Sequence, residues 1–156
     1  MQALARYAAA RDVRFRMRVA AALLGLGDGP AAARLLTDLD ALPAEWLPAA
    51  ARVLARIEAP AARAALAPEL ATRARGADVD QALAAAAVLL AWDPEAGFFR
   101  FLEALSATSV RERDLAEAYL ASDRTRELTW VMRRALAREG RDFTRDRLRR
   151  LLDARG

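Results

Sequence analysis

Apolar residues recur at helical spacing along almost the whole chain. Phe15, Val19, Ala22, Leu23 and Leu26 stand at i, i+4, i+7, i+8 and i+11, a single buried stripe for a helix over Val13–Leu26 with Asp12 as its N-cap. Gln2–Ala10 reads as a shorter helix before it. After a corner at Gly27-Asp28-Gly29, Pro30 suits the first turn of a helix, where its missing N–H has no partner to lose; Ala32, Leu35, Leu36 and Leu39 form that helix's apolar face. Ala44–Ile57 follows, with Pro43 at its entrance and Pro48 in its first turn, and Trp46, Ala50, Val53, Leu54 and Ile57 repeat the earlier spacing.

Pro60 opens the next helix, with Ala62, Ala65 and Leu66 inward, and Pro68 is expected to end or kink it. Thr72–Asp78 reads as a longer connection, in which Gly76 closes one helix and Asp78 caps the next. Asp80–Ala91 is apolar on every side, which predicts a helix enclosed by neighbours and the centre of the core. Beyond Trp92-Asp93-Pro94, Phe98, Phe101, Leu102 and Leu105 share one face. Ser109 and Glu112 form a capping box for Val110–Ala121, whose apolar set is Leu115, Ala116, Tyr119 and Leu120. A helix starting at Asp123 turns Leu128, Val131, Met132 and Ala135 inward and is closed by Gly140. Phe143–Ala154 is amphipathic on Leu148, Leu151 and Leu152. The pattern amounts to ten helices in five pairs within a single domain over residues 1–156.

Composition agrees with an all-α fold: 55% of residues are hydrophobic, Ala and Leu dominate, and Ile57 is the one isoleucine. The chemistry is narrowed by what is missing. Without Cys or His there is no thiolate, no imidazole base and no zinc site of the usual kinds. All 25 basic residues are Arg, a bias that a GC-rich genome produces without any function. The net charge of +4 is unevenly spread: residues 1–18 and 111–156 each carry +4, and residues 19–110 carry −4. No apolar run reaches the roughly 18–20 residues of a membrane span, and the start of the sequence lacks the apolar core of a signal peptide, so a cytoplasmic location with no membrane contact is expected.

Overlaid, LLGLGDGPAAARLL, VLARIEAPAARAAL, VLLAWDPEAGFFRFL and AYLASDRTRELTWVM share an acidic corner at Asp28, Glu58, Asp93 and Asp123, spaced by 30, 35 and 30 residues. A period near 30 made of two helices and a tight corner predicts an α-solenoid. In the first unit Phe15-Arg16, Val19-Ala20, Ala22-Leu23 and Leu26-Gly27-Asp28 resemble the repeat of the HEAT family, in particular its short bacterial, phycobilisome-lyase-type form. That resemblance implies a right-handed superhelix of about five HEAT-like pairs, acting as a scaffold that binds a protein partner on its concave face. It puts the second helix of each pair on that face, and with it Arg18, Arg52, Arg56, Arg113 and Arg149, facing an acidic or mixed-charge partner. The alternative for these arginines is a solvated helix face with carboxylates one turn away, such as Glu45 and Glu117. Arg16 and Arg111 match the family's repeated Arg, which bonds neighbouring repeats.

Other chemistry is weaker. GLGDG follows a helix rather than a strand and lacks a Lys, so it is a corner and not a phosphate loop. Asp38 and Asp40 cannot face each other at i, i+2, and Asp78 and Asp80 belong to a helix start, so no metal or cofactor site is assigned and no catalytic residue is named. Two fold-level analogies stand as alternatives. DNA alkylation-repair glycosylases are also HEAT-like, and Trp92-Asp93 with Trp130 and Arg133-Arg134 are faintly similar to their carboxylate and aromatic groups, although core or corner packing also accounts for both Trp. Bilin-lyase-like chaperones share the repeat type, but no residue here points to a chromophore pocket. Nucleic-acid binding without catalysis would draw on Arg11, Arg14, Arg16 and Arg18 and on Arg138, Arg141, Arg145, Arg147, Arg149, Arg150 and Arg155. Against it, the second group alternates with Glu139, Asp142, Asp146 and Asp153, as the soluble outer face of a terminal repeat would.

Overall fold

Pro30 does begin a helix, α1 (Pro30–Asp40), in a computed structural model that describes residues 15–18, 20, 22, 30–123 and 125–156. Expectations for the Gln2–Ala10 helix, the Asp12 cap, the Gly27-Asp28-Gly29 corner and most of the Val13–Leu26 stripe lie outside the described residues. Residues 15–18, 20 and 22 are helical, but the two described members of the expected stripe, Phe15 and Ala22, are exposed, and the buried residues are Met17 and Ala20, which stand on another face of the helix. Among the described residues the regular elements are all helical, so the fold is all-α. They divide into two compact units, Met1–Val88 and Leu89–Gly156.

In the first unit α1 buries Ala31, Leu35 and Leu39 completely. The inward alanine is therefore Ala31, at i−4 from Leu35, and not Ala32. The expected Ala44–Ile57 helix is split: a 3-10 turn at Ala44–Trp46 leads into α2 (Leu47–Ala55), where Pro48 sits in the first turn. Ile57 lies beyond the helix end but is still buried.

Helix α3 (Pro60–Ala74) runs through Pro68, which neither ends it nor opens a connection at Thr72. The carbonyl that loses its donor to Pro68 belongs to Ala64, which is exposed, so water can satisfy it. The buried stripe is Ala62, Leu66, Leu70 and Ala74 at strict i, i+4 spacing, and Ala65 faces outward. The connection is shorter than predicted. Gly76 N–H closes onto the Arg73 carbonyl at 2.9 Å, and Asp78 caps α4 (Val79–Trp92) by accepting from the Gln81 N–H at 3.0 Å. As expected, α4 is enclosed: Ala82–Ala86 and Val88–Leu90 are all buried.

Polar ties join these helices. α1 packs on α3, and Arg73 of α3 grips both Asp40 oxygens at 3.0 and 2.8 Å. Gln81 donates to the Leu39 carbonyl, and Arg16 holds the buried Asp38 at 2.7 Å.

The second unit has α5 (Pro94–Leu105), α6 (Val110–Ser122), α7 (Arg126–Arg138) and α8 (Asp142–Asp153). α5 touches all three others, α7 lies against α8, and α8 also meets α6. Asp93 caps α5 through the Glu95 and Ala96 N–H groups. Phe98, Phe101 and Leu105 are buried, with Leu102 half-buried. The capping box at α6 is only half formed. Ser109 accepts from the Glu112 N–H, but the Glu112 carboxylate turns to Arg100 at 2.9 Å. Asp123 ends α6 instead of starting α7; it accepts the Thr125 N–H at 2.8 Å, and Thr125 caps α7. α7 ends at Arg138, before Gly140.

Candidate functional site

The inward face of α2 leaves Arg52 and the C-cap residue Arg56 outside. Leu47, Ala50, Ala51 and Leu54 are buried, so Arg52 and Arg56, four residues apart, project together into solvent. Beside them Met17, Leu42, Trp46, Ala49, Ala50 and Val53 line a depression of about 60 Å³ with Arg18 at its rim. That volume is far below the roughly 300 Å³ at which small-molecule pockets begin, so it fits a single partner side chain and no cofactor. Among the described residues no carboxylate pairs with Arg18, Arg52 or Arg56. Glu45, a candidate counter-ion from the sequence, has no basic partner among them either. The result is a local excess of positive charge beside a small apolar recess.

The other two arginines assigned to the same face stand differently. Arg113, half-buried in the first turns of α6, donates to the Ala107 and Thr108 carbonyls at 2.7 and 2.8 Å. It also lies over the Phe143 ring at 5.2 Å. Arg63 does the same in the first unit, reaching six residues back to the Ile57 carbonyl at 2.6 Å. Both arginines satisfy carbonyls of the turn that follows the preceding helix, groups that no regular element pairs. Arg149 is exposed and pairs with Asp146 at 3.0 Å, one turn away. Glu117 pairs with Arg147, which also lies over the Phe143 ring, at 4.5 Å.

A second open groove, which the sequence pattern does not predict, lies between α5 and α7. It measures about 290 Å³, with Phe98, Phe99, Leu102, Val131 and Ala135 as its apolar lining and Glu95, Arg134, Arg138 and Glu139 around it. Phe99 is 58% exposed. The available signal was the Phe98-Phe99 pair: neighbours on a helix diverge by roughly 100°, so only one can follow the buried stripe. Trp130 is 55% exposed, which removes core packing as its explanation; Arg134 lies over its ring at 5.1 Å and pairs with Glu95.

At the groove's end the Glu139 carboxylate, only 6% exposed, accepts from Arg141 through its backbone N–H, Nε and Nη2 at 2.7–2.9 Å. Those bonds, chiefly to the guanidinium, lower its pKa to about 2. A depressed carboxyl stabilises the fold above its ordinary value near 4.5 and loses that contribution as pH falls toward 2. Acid titration of Glu139→Gln, followed by circular dichroism, should therefore show a shallower loss of stability across that interval than the parent. Parallel curves would mean that Arg141 is no better a partner than water.

Asp93 is occupied as a helix cap, and Asp38 and Asp40 are held by Arg16 and Arg73. Among the described residues no group of three Asp or Glu could hold a metal ion, and no helix is long and apolar enough to cross a membrane. No protein-family model matches the chain, and neither a curated protein nor a solved structure matches it.

Proposed function

We propose that this chain is a non-catalytic protein-interaction module of HEAT-like, solenoid type, which binds an acidic protein surface through Arg18, Arg52 and Arg56. The observation that carries the reading is that these three guanidinium groups are exposed without a carboxylate partner among the described residues, beside a recess able to take one apolar side chain. Arginine stays charged at any physiological pH and engages carboxylates through two parallel N–H donors, so such a cluster favours an acidic partner in both encounter and register. The solenoid part of the reading is supported by like-placed helices meeting: α1 with α3, and α5 with α7, are the first helices of successive pairs. The bond from Arg16 to Asp38 of α1 supports the bridging role that the HEAT-like motif implies for this arginine.

The test is affinity recovery of partners from the native cell with the parent and with Arg52→Glu/Arg56→Glu. We expect the double variant to lose the partner while keeping its helical content, because both side chains are exposed. Equal recovery would remove the α2 arginines from the interface. A labelled DNA duplex, titrated at several salt concentrations, separates carboxylate from phosphate recognition. Micromolar affinity that falls steeply with salt would replace the protein partner with nucleic acid.

A further inference from the structure

We infer that the groove between α5 and α7 is a second docking site, independent of the α2 arginines, and that its occupant is a short acidic amphipathic helix. The apolar lining requires apolar contacts: Phe99, which lines the groove, is 58% exposed, a cost that a protein surface does not ordinarily carry beside four further apolar lining residues. The length is set by α7, which contributes from Val131 to Arg138. At 1.5 Å per residue this is roughly 10 Å, or two helical turns, which matches anchors at i, i+4 and i+7 of a docked helix.

The sign of the partner's charge follows from the groove's own ion pairs. Glu95 is already paired with Arg134 and Glu139 with Arg141. Arg138, which lines the groove, has no carboxylate among the described residues, and neither has Arg133 on the outward face of α7. The unbalanced charge is therefore positive, and an occupant with a carboxylate beside its apolar anchors meets it. A nucleic acid fits less well: two carboxylates stand at the rim, and one face of Trp130, where a base would stack, is covered by Arg134.

The probe is a fluorescein-labelled, hydrocarbon-stapled helix with Leu at i, i+4 and i+7 and Glu on both flanks, read by anisotropy against the full chain. Saturable binding is expected, weakened roughly tenfold or more by Phe99→Glu and by Arg138→Glu, the loss typical of an interface anchor. Replacing the probe's Glu with Lys should weaken binding to the parent and restore it to Arg138→Glu. Arg52→Glu/Arg56→Glu should leave binding unchanged, so failure here and failure of the α2 interface are told apart. Both groove substitutions are at exposed positions, and unchanged helical content and melting temperature would verify that they fold. The inference is overturned by no saturable binding up to about 1 mM, by equal affinity across the variants, or by a labelled single-stranded oligonucleotide that binds more tightly than the peptide and is displaced by Arg133→Glu.

Discussion

Phe101→Ala should lower the stability of the second unit by about 3–5 kcal/mol, the usual cost of removing a fully enclosed aromatic ring. Phe101 has no exposed surface, and its ring centre lies 5.9 Å from that of Tyr119 at a 58° tilt, a favourable aromatic geometry. It stands on α5, the helix that contacts α6, α7 and α8, so the cavity opens where three neighbours converge and none can close it alone. Phe101→Leu keeps much of the apolar volume and should lose clearly less. Urea unfolding in a Trp46→Phe background would make the fluorescence report on Trp130 and on Trp92 at the end of α4, whose last residues, Leu89–Trp92, belong to this unit. An unchanged midpoint for Phe101→Ala would mean that α5 is not the hub of the unit.

The same helix shows how far a sequence reading carries. Phe98, Phe101 and Leu105 were legible because a bulky residue every three or four positions leaves one choice of buried face. Asp93 and Ser109 were legible as caps because short polar side chains before a helix have little else to bond. Alanine stripes were less so: Ala31 and Ala32, or Ala62 and Ala65, are equally acceptable to propensity, and only packing decides which turns inward. Pro68 was misread because the rule counts the lost hydrogen bond without asking whether the orphaned carbonyl faces water. At Asp123 two capping side chains stood two residues apart, and Thr125 took the helix while Asp123 bonded the intervening turn.

The candidate site was legible only in part. Spacing along α2 does set Arg52 and Arg56 side by side, and their exposure follows from the leucines and alanines opposite. Arg113 has the same local pattern, yet its guanidinium closes the α5–α6 corner, because the carbonyls it reaches are created by the turn and not by any residue type. The α5–α7 groove needs two helices separated by a third to be brought together, a contact that no local periodicity encodes. Its one local trace is Phe99, an aromatic beyond what the single buried face of α5 can hold.

Leucine placed on opposite sides of α4 should destabilise the first unit from either side. Ala84 and Ala86 are both fully buried, and two positions along a helix stand roughly 200° apart, so between them they sample nearly opposing faces. Each Ala→Leu adds three heavy atoms to space already at native density, at a cost of about 1–3 kcal/mol, paid in displaced backbone and distorted rotamers. Ala91 on the same helix is exposed, and its leucine variant should stay within about 0.5 kcal/mol of the parent. Thermal unfolding of the three single variants reads this directly. Loss at both Ala84 and Ala86 is the expected result, because five consecutive buried positions, Ala82–Ala86, exceed one turn, so over that stretch no face is left for water. If either leucine were tolerated as well as at Ala91, that side of α4 would have room to yield, and the helix would be packed on one face like its amphipathic neighbours.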